Sequence, residues 1–200
     1  MKTKAILEFL KEIEKFKTCE RSCHTSDPNR AESDAEHSWH LALFLILFEK
    51  ELGTADLLKM LKLALIHDLP EIYAGDTNPY RGDMTDKAEN EKQAADKLFS
   101  LLPEELKNEF TDLFNEYINQ ETKESQIVKS ADKLMPLIQN ICTTASFSSY
   151  RNLEVTYSEV EKYMDSFFLK NDLLKDIYRK LLKEADMKNV FSGDKEKEQS

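Results

Sequence analysis

The sequence has little of what builds strands, tight turns or membrane spans. Only 4 of its 200 residues are glycine and 5 are proline, and few helix breakers beside many Leu, Lys and Glu favour long helices. The longest apolar run, residues 41–48, is too short to span a bilayer. The N-terminus mixes charged residues into its apolar positions and so lacks the apolar core of a signal peptide. These absences predict a cytoplasmic, all-helical protein.

Cysteine is also scarce. Cys19, Cys23 and Cys142 make an odd number in a chain without an export signal, which predicts free thiols in a reducing cytoplasm. Cys19 and Cys23 next to His24 invite a zinc-knuckle interpretation, but no second ligand pair stands at a plausible spacing. The sequence contains no Gly-rich phosphate loop, nucleophile elbow or dinucleotide fingerprint.

Acidic residues outnumber basic ones, and the net charge is −10. Nucleic acids and anionic membranes would be repelled by this charge at long range, so neither is an expected partner. A small phosphorylated substrate remains compatible with it, because a metal ion and one or two arginines can reverse the sign of the charge locally.

Helical periodicity and capping signals divide most of the chain into helices. The predicted helices cover about residues 3–18, 33–52, 54–66, 70–74, 86–101, 103–119, 124–144, 157–169 and 172–186. Ser33 with Glu36 and, separately, Thr54 are the predicted caps of the second and third helices. The remaining segments are predicted to be loops, without a strand pair. We expect one domain over residues 1–190 and a disordered charged tail over 191–200.

The dipeptide His67-Asp68 is common by chance, but its position is informative. It ends a helix that is apolar nearly all round and is therefore predicted to be buried. Burying a histidine and an ionised aspartate costs several kcal/mol, roughly, unless each has a partner, and a divalent cation would serve both. The alternative is a core histidine followed by an aspartate that caps the turn at Pro70.

Two more carboxylates follow closely. Glu71 lies four residues after His67, one helical turn on, where its carboxylate could face an attacking water. Asp76 follows Gly75 in a loop, a place where substrate-contacting residues are common. The alternatives are a solvated helix residue for Glu71 and an ordinary turn residue for Asp76.

Two distant positions add candidate ligands. His37 and His40 share a helix face, and we prefer His37 as a ligand and His40 as a core or supporting residue. Asp132 lies in an otherwise apolar helical stretch, where metal ligation would remove the cost of burying it. Trp39 is predicted to be a core residue.

The order of His37, His67-Asp68 and Asp132 resembles the H…HD…D signature of the HD-domain superfamily of metal-dependent phosphohydrolases. The surrounding segments 30–40, 67–77 and 131–136 resemble the bacterial branch that includes the 5′-deoxynucleotidases. The similarity runs from about residue 5 to residue 185. It implies an all-α fold, a single-domain helical bundle of the HD-domain type.

The resemblance also implies a role for each matching residue. The four metal ligands would be His37, His67, Asp68 and Asp132. Glu71 matches the carboxylate that activates the attacking water, Asp76 the acid near the sugar, and Arg21 the phosphate-binding arginine. Ser22 follows Arg21 where the deoxynucleotidases carry a tryptophan, and segment 78–83 does not match either. The resemblance therefore leaves the preference for deoxy sugars open.

Two imidazoles and two carboxylates suit one divalent ion: Mn, Co, Fe, Ni or Zn, with Mg also open. Such an ion lowers the pKa of a bound water and neutralises charge on a phosphoryl group. The resulting hypothesis is hydrolysis of the phosphomonoester of nucleoside 5′-monophosphates, with a nucleotide as the only expected small-molecule partner and a homodimer left open. The alternatives are another phosphoester (a nucleoside triphosphate, a guanosine alarmone or a cyclic nucleotide) or a non-catalytic metal-binding module.

Overall fold

The computed structural model describes residues 2–193, and nearly all of their regular structure is helical. The α-helices are α1 (Lys2–Glu12), α2 (Asp34–Leu47), α3 (Leu57–Ile66), α4 (Glu71–Ala74), α5 (Lys87–Phe99), α6 (Glu104–Asn119), α7 (Lys123–Cys142), α8 (Ser149–Asn152), α9 (Tyr157–Met164) and α10 (Asp172–Met187). Short 3₁₀ helices occupy Ile13–Thr18, Ala145–Phe147 and Asp165–Phe168. The prediction of an all-α protein is confirmed.

A small β-hairpin stands where the sequence predicted only a loop. Strands β1 (Glu20–His24) and β2 (Ala31–Ser33) pair with each other. The turn between them is closed by hydrogen bonds from Thr25 N to Arg30 O (3.0 Å) and from Asn29 N to Asp27 Oδ1 (3.0 Å). The prediction of no strand pair was wrong because backbone bonds hold this short hairpin, without the apolar alternation that marks a longer strand.

The chain forms two compact units. The first takes in the residues up to Arg21 and Ser33–Val128, and the second takes in Ser22–Glu32 and the chain from Lys129 onward. In the first unit α2 packs on α3, and the buried residues between them include Leu41, Leu45, Met60 and Leu63. Each such side chain contributes about 1.5–3 kcal/mol by leaving water. This packing fixes the two helices that carry His37 and His67.

The ends of these helices follow the local chemistry. Ser33 and Glu36 form the predicted capping box at the start of α2, whereas α3 is capped by the carboxylate of Asp56 rather than by Thr54, because Asp56 Oδ1 accepts from Lys59 N at 3.2 Å. The short helix α4 ends at Gly75, whose φ of +77° favours glycine. The predicted helix 70–74 and its glycine stop are confirmed.

The core of the second unit includes several packed aromatic rings. The rings of Phe168 and Tyr178 stack with their centroids 4.5 Å apart. Phe191 is buried, and its ring lies 5.4 Å from that of Tyr150 and 5.6 Å from that of Tyr157. The predicted tail therefore starts too early at residue 191, because Phe191 is an apolar anchor. The rest of that prediction, residues 194–200, lies outside the described residues.

Two further features bear on the sequence predictions. All three cysteines are free thiols, as predicted. Among residues 2–193, no helix has both the length and the apolar character that a bilayer crossing requires.

Candidate metal centre

His67 follows the last turn of α3, and its imidazole is fully buried. Its Nδ1 lies 2.9 Å from the carbonyl oxygen of Ala64. A carbonyl can only accept, so Nδ1 carries the hydrogen and Nε2 is the nitrogen with the lone pair. A hydrogen bond on the far ring nitrogen is the usual way in which proteins orient a ligating histidine.

His37 and Asp68 converge on the same place. The rings of His37 and His67 are 5.6 Å apart, and Asp68 Oδ2 lies 3.0 Å from His67 Nε2 and 3.8 Å from His37 Nε2. The first unit thus brings three of the four predicted ligands together. Two imidazole nitrogens and a carboxylate oxygen at this spacing suit a divalent transition metal.

The electrostatics of Asp68 favour its charged form. Burial alone would raise the pKa of Asp68, but His67 and His37, when protonated, and the permanent charge of Arg21 hold it well below its usual value. A carboxylate that stays ionised in a buried place is a ready ligand for a cation.

Asp132 lies in the second unit, on α7, and is 4% exposed. Its Oδ2 is 2.9 Å from Nζ of Lys133. The structure therefore places a buried carboxylate where the sequence expected one in an apolar helix, and its role as the fourth ligand stays a prediction.

Arg21 holds two acids of the first unit. Its Nη1 donates to Asp34 Oδ1 at 3.1 Å and to Asp68 Oδ2 at 2.9 Å, and its side chain is 13% exposed. A guanidinium is also the group that proteins commonly use to bind phosphate. The sequence predicted Arg21 at the site but not its aspartate partners.

Asp34 is a site residue that the sequence analysis missed. It is fully buried, and Asp34, Asp68 and Glu71 each offer a carboxylate oxygen within 4.8 Å of the other two. Burial and the charge of Asp68 raise the pKa of Asp34 to about 6, against the lowering effect of Arg21. Its place in the segment that resembles the family was the available signal, but an acid after Ser33 at a helix start passed as ordinary.

Glu71 is buried at the start of α4, with 6% of its surface exposed. Burial first, and then the charges of Asp68, Asp34 and Asp76, raise the pKa of Glu71 to about 11. Within residues 2–193, neither Glu71 Oε2 nor Asp34 Oδ2 has a hydrogen-bond partner. Buried acids crowded in this way are costly unless a cation accompanies them, so the residues present fit a divalent metal ion.

Asp76 is half-buried in the loop after Gly75. It lies close enough for its charge to raise the pKa of both Glu71 and Asp34. Asp76 is therefore near these two acids, and its role in the site stays a prediction.

Two other predicted residues differ in their outcome. Trp39 is 63% exposed, so the prediction of a core residue was wrong: it lies on the outer face of α2. His40 is half-buried, its ring lies 6.1 Å from that of Trp39, and burial lowers its pKa. His40 is therefore not a fully buried core residue, and its supporting role stays a prediction.

Comparison with known proteins agrees with this geometry. The model of the HD domain family matches residues 13–173. The 5′-deoxynucleotidase HDDC2 of Xenopus laevis is 29% identical over 165 residues, 82% of this chain and 78% of that protein. The Dictyostelium discoideum protein of the same name is 33% identical over 66% of this chain and 74% of its own length.

A solved structure also superposes closely. The crystal structure of a predicted metal-dependent phosphohydrolase from Magnetospirillum magnetotacticum has a TM-score of 0.86 and 32% identity, and the match covers 96% of this chain and 99% of that one. An HD-domain phosphohydrolase from Listeria innocua, at 19% identity and a TM-score of 0.60, covers 92% of this chain and 95% of its own and shares the fold. These matches confirm the resemblance drawn from the motifs, although the curated relatives named above are eukaryotic.

Proposed function

This chain belongs to the HD domain family, and we propose that it hydrolyses the phosphomonoester bond of nucleoside 5′-monophosphates to give a nucleoside and phosphate. The observation that carries the proposal is the convergence of His37, His67 and Asp68 beside Arg21 and Glu71. Relatives named 5′-deoxynucleotidase support the nucleotide substrate. The enzyme is thus a metal-dependent phosphohydrolase, and a nucleoside 5′-monophosphate is its proposed substrate.

His37, His67 and Asp68 would hold one divalent ion, with Asp132 as the proposed fourth ligand. Such an ion supplies a lowered pKa for water and charge neutralisation at a phosphoryl group. The mixed nitrogen and oxygen donors are compatible with Mn, Co, Fe, Ni, Zn or Mg.

The other site residues have separate tasks. Arg21 would bind phosphate oxygens, because a guanidinium beside the site is a strong charge-assisted donor to phosphate. Glu71 would accept the proton of the attacking water as a carboxylate, because a divalent ion held beside it would offset the acidic charges that otherwise raise its pKa. Asp76 accepts hydrogen bonds from the sugar, on the loop side of the site.

The proposed role of Asp132 as the fourth ligand is tested by measuring metal binding. We expect Asp132→Asn to fold like the wild type and to bind metal more weakly, because an amide oxygen is a poorer ligand than a carboxylate. Lys133→Met, which removes the neighbouring charge and leaves the proposed ligand, is the matched control. Equal metal affinity in Asp132→Asn and wild type would remove Asp132 from the ligand set.

The function is tested by phosphate release. Purified protein is incubated with ribo- and deoxyribonucleoside 5′-monophosphates and Mn²⁺ or Co²⁺, beside a nucleoside triphosphate, a guanosine alarmone and a cyclic nucleotide. We expect the monophosphates to be hydrolysed fastest. Because Ser22 stands where the resemblance has tryptophan, we expect only a small preference for deoxy sugars. Faster hydrolysis of another phosphoester would make that compound the substrate instead. If no phosphoester is hydrolysed, the protein is a non-catalytic metal-binding module.

We also propose that the enzyme is a cytoplasmic homodimer that does not bind nucleic acid. The free cysteines support a cytoplasmic location. The net charge of −10 argues against nucleic-acid binding. Exposed apolar side chains on α2, namely Trp39, Leu43, Ile46 and Leu47, support a second copy as partner. Light scattering tests this: Leu47→Asp should yield a monomer, and a wild type that is already monomeric would contradict the dimer.

A further inference from the structure

The loop that carries Asp76 is folded back on itself. Asn78 Oδ1 accepts from Tyr80 N at 2.9 Å and from Arg81 N at 3.2 Å, and Gly82 N donates to Asn78 O at 2.8 Å. A Cβ on Gly82 would lie 2.5 Å from Asn78 O and 2.5 Å from Thr77 Cγ2. The loop is therefore compact from Thr77 to Gly82, and whatever fixes Thr77 fixes the segment beside Asp76.

Lys87 reaches that segment from the start of α5. Its Nζ donates to the carbonyl oxygen of Thr77 at 3.4 Å and lies 3.2 Å from Glu91 Oε1, one helical turn further on. The lysine side chain is 23% exposed and the glutamate side chain 16%. An exposed-loop lysine would ordinarily extend into solvent, so this orientation indicates a specific tie between the two ends of the loop.

The tie crosses an open polar pocket. The pocket has a volume of about 190 Å³, and its walls include Gly75, Thr77, Lys87, Asn90 and Glu91. Helices α4 and α5 pack on each other, and polar contacts hold the loop between them. Among these contacts, the hydrogen bond of Lys87 to Thr77 joins the beginning of the loop to the start of α5.

The charge of Lys87 also matches its surroundings. Burial would lower the pKa of Lys87, but Glu91, Glu71 and Asp76 raise it. The ammonium group is thus a positive neighbour of the proposed base and of the proposed sugar-binding acid. It offsets part of the repulsion among the acids on this side of the first unit.

We propose that Lys87 is a positioning residue that anchors the Asp76 segment through the Thr77 carbonyl and so keeps Asp76 in place for the substrate. The inference deepens the proposed function and rests on it for its kinetic part. The hydrogen bond and the ion pair of Lys87 are with Thr77 and Glu91 rather than with the candidate ligands, so Lys87 acts through the loop.

The anchoring is tested without activity, by hydrogen exchange of backbone amides in peptides that cover residues 75–86. The variants are Lys87→Met, which keeps the aliphatic stem, Lys87→Arg, which keeps a donor and the charge, and Lys92→Met, an exposed lysine on the same helix. We expect exchange in Lys87→Met to be about tenfold faster, as for the loss of a hydrogen bond to a charged group. Lys87→Arg should restore most of the protection and Lys92→Met should match wild type.

The kinetic readout separates positioning from folding. With metal content and thermal midpoint unchanged, we expect kcat/KM of Lys87→Met to fall about tenfold to a hundredfold, because misplacement by about 1 Å can cost about a hundredfold. The loss should appear mainly in KM, with partial rescue in Lys87→Arg. If Lys87→Met fails to fold, Glu91→Gln, which removes the carboxylate partner of Lys87, should show the same pattern to a smaller extent.

The outcomes distinguish the two proposals. An active wild type with unchanged exchange and unchanged kcat/KM in Lys87→Met overturns the inference and leaves the proposed function intact. Faster exchange with unchanged kcat/KM also overturns it, because the loop would then not position the substrate. A wild type that is inactive on the whole panel overturns the proposed function, and the exchange experiment still decides whether Lys87 anchors the loop.

Discussion

The two sides of the candidate site are held in place by different means. His37 and His67 are buried near the ends of α2 and α3, which pack on each other, and the His67 ring is oriented by a carbonyl of its own helix. Asp76 stands in a half-exposed loop, which contacts α5 through the hydrogen bond of Lys87 to the Thr77 carbonyl. One side is positioned by core packing and the other by polar contacts that compete with water.

The difference separates what is needed for the chemistry from what is needed for substrate choice. Core packing resists displacement because interiors are dense and adapt little. Loops tolerate change and commonly carry specificity. We therefore expect changes on the helix side to abolish the reaction or the metal site, and changes on the loop side to alter KM while stability stays the same.

The largest effect is expected for His67→Ala. Loss of a ligand should remove the metal and lower kcat/KM by about a thousandfold, which corresponds to about 4 kcal/mol. A chelator should lower the thermal midpoint of the wild type but not that of the variant, because only a protein that binds metal is stabilised by it. Metal analysis, calorimetry and phosphate release measure these changes; unaltered metal content would contradict the ligand assignment.

Glu71→Gln is expected to have the next largest effect. It tests whether kcat can fall while the metal-binding side of the site stays intact. The amide is nearly the same size but cannot accept the proton, so kcat should fall about a hundredfold to ten-thousandfold. Metal content should remain near that of the wild type. A kcat within about threefold of the wild type, below the range for general-base loss, would argue against Glu71 as the base.

Arg21→Met should have an intermediate effect because Arg21 stands beside Asp34 and Asp68 on the helix side. Losing hydrogen bonds from a charged donor costs about 1.5–3 kcal/mol, or about tenfold to a hundredfold in kcat/KM. Arg21→Lys keeps the charge but not the planar fork and should recover only part of the loss. Steady-state kinetics on one monophosphate measures both, and full recovery in Arg21→Lys would show that the fork is not used.

The smallest effect is expected for Asp76→Asn. We expect about a tenfold rise in KM, as for one lost charged hydrogen bond, with kcat and the thermal midpoint nearly unchanged. Circular dichroism melting and kinetics on ribo- and deoxyribonucleotides test this. A large loss of kcat or of stability would contradict the division between the helix side and the loop side, because Asp76 would then behave like a metal ligand.

The sequence predicted features that depend on local chemistry. The capping box at Ser33 and the short helix ended by Gly75 were found because cap geometry and positive φ demand particular residues. His67 and Asp68 were found because a buried helix end made two polar residues expensive. These signals lie within a few residues of one another.

What the sequence did not predict depends on distant contacts. The β1–β2 hairpin is held by backbone bonds, which any residues can make. The exposure of Trp39 depends on which face of α2 packs inward, and α2 is apolar on several sides. The role of Asp34 appears only when Arg21 and Asp68, which are distant from it in sequence, are brought beside it.

The bond between His67 and the carbonyl of Ala64 has a consequence for how this site can change over time. The partner that sets the imidazole is a main-chain oxygen, which every amino acid at position 64 would supply. No substitution of another side chain can delete that partner. This hydrogen bond therefore does not depend on which side chain occupies position 64. It can orient Nε2 in the same way in homologues whose surrounding sequence differs.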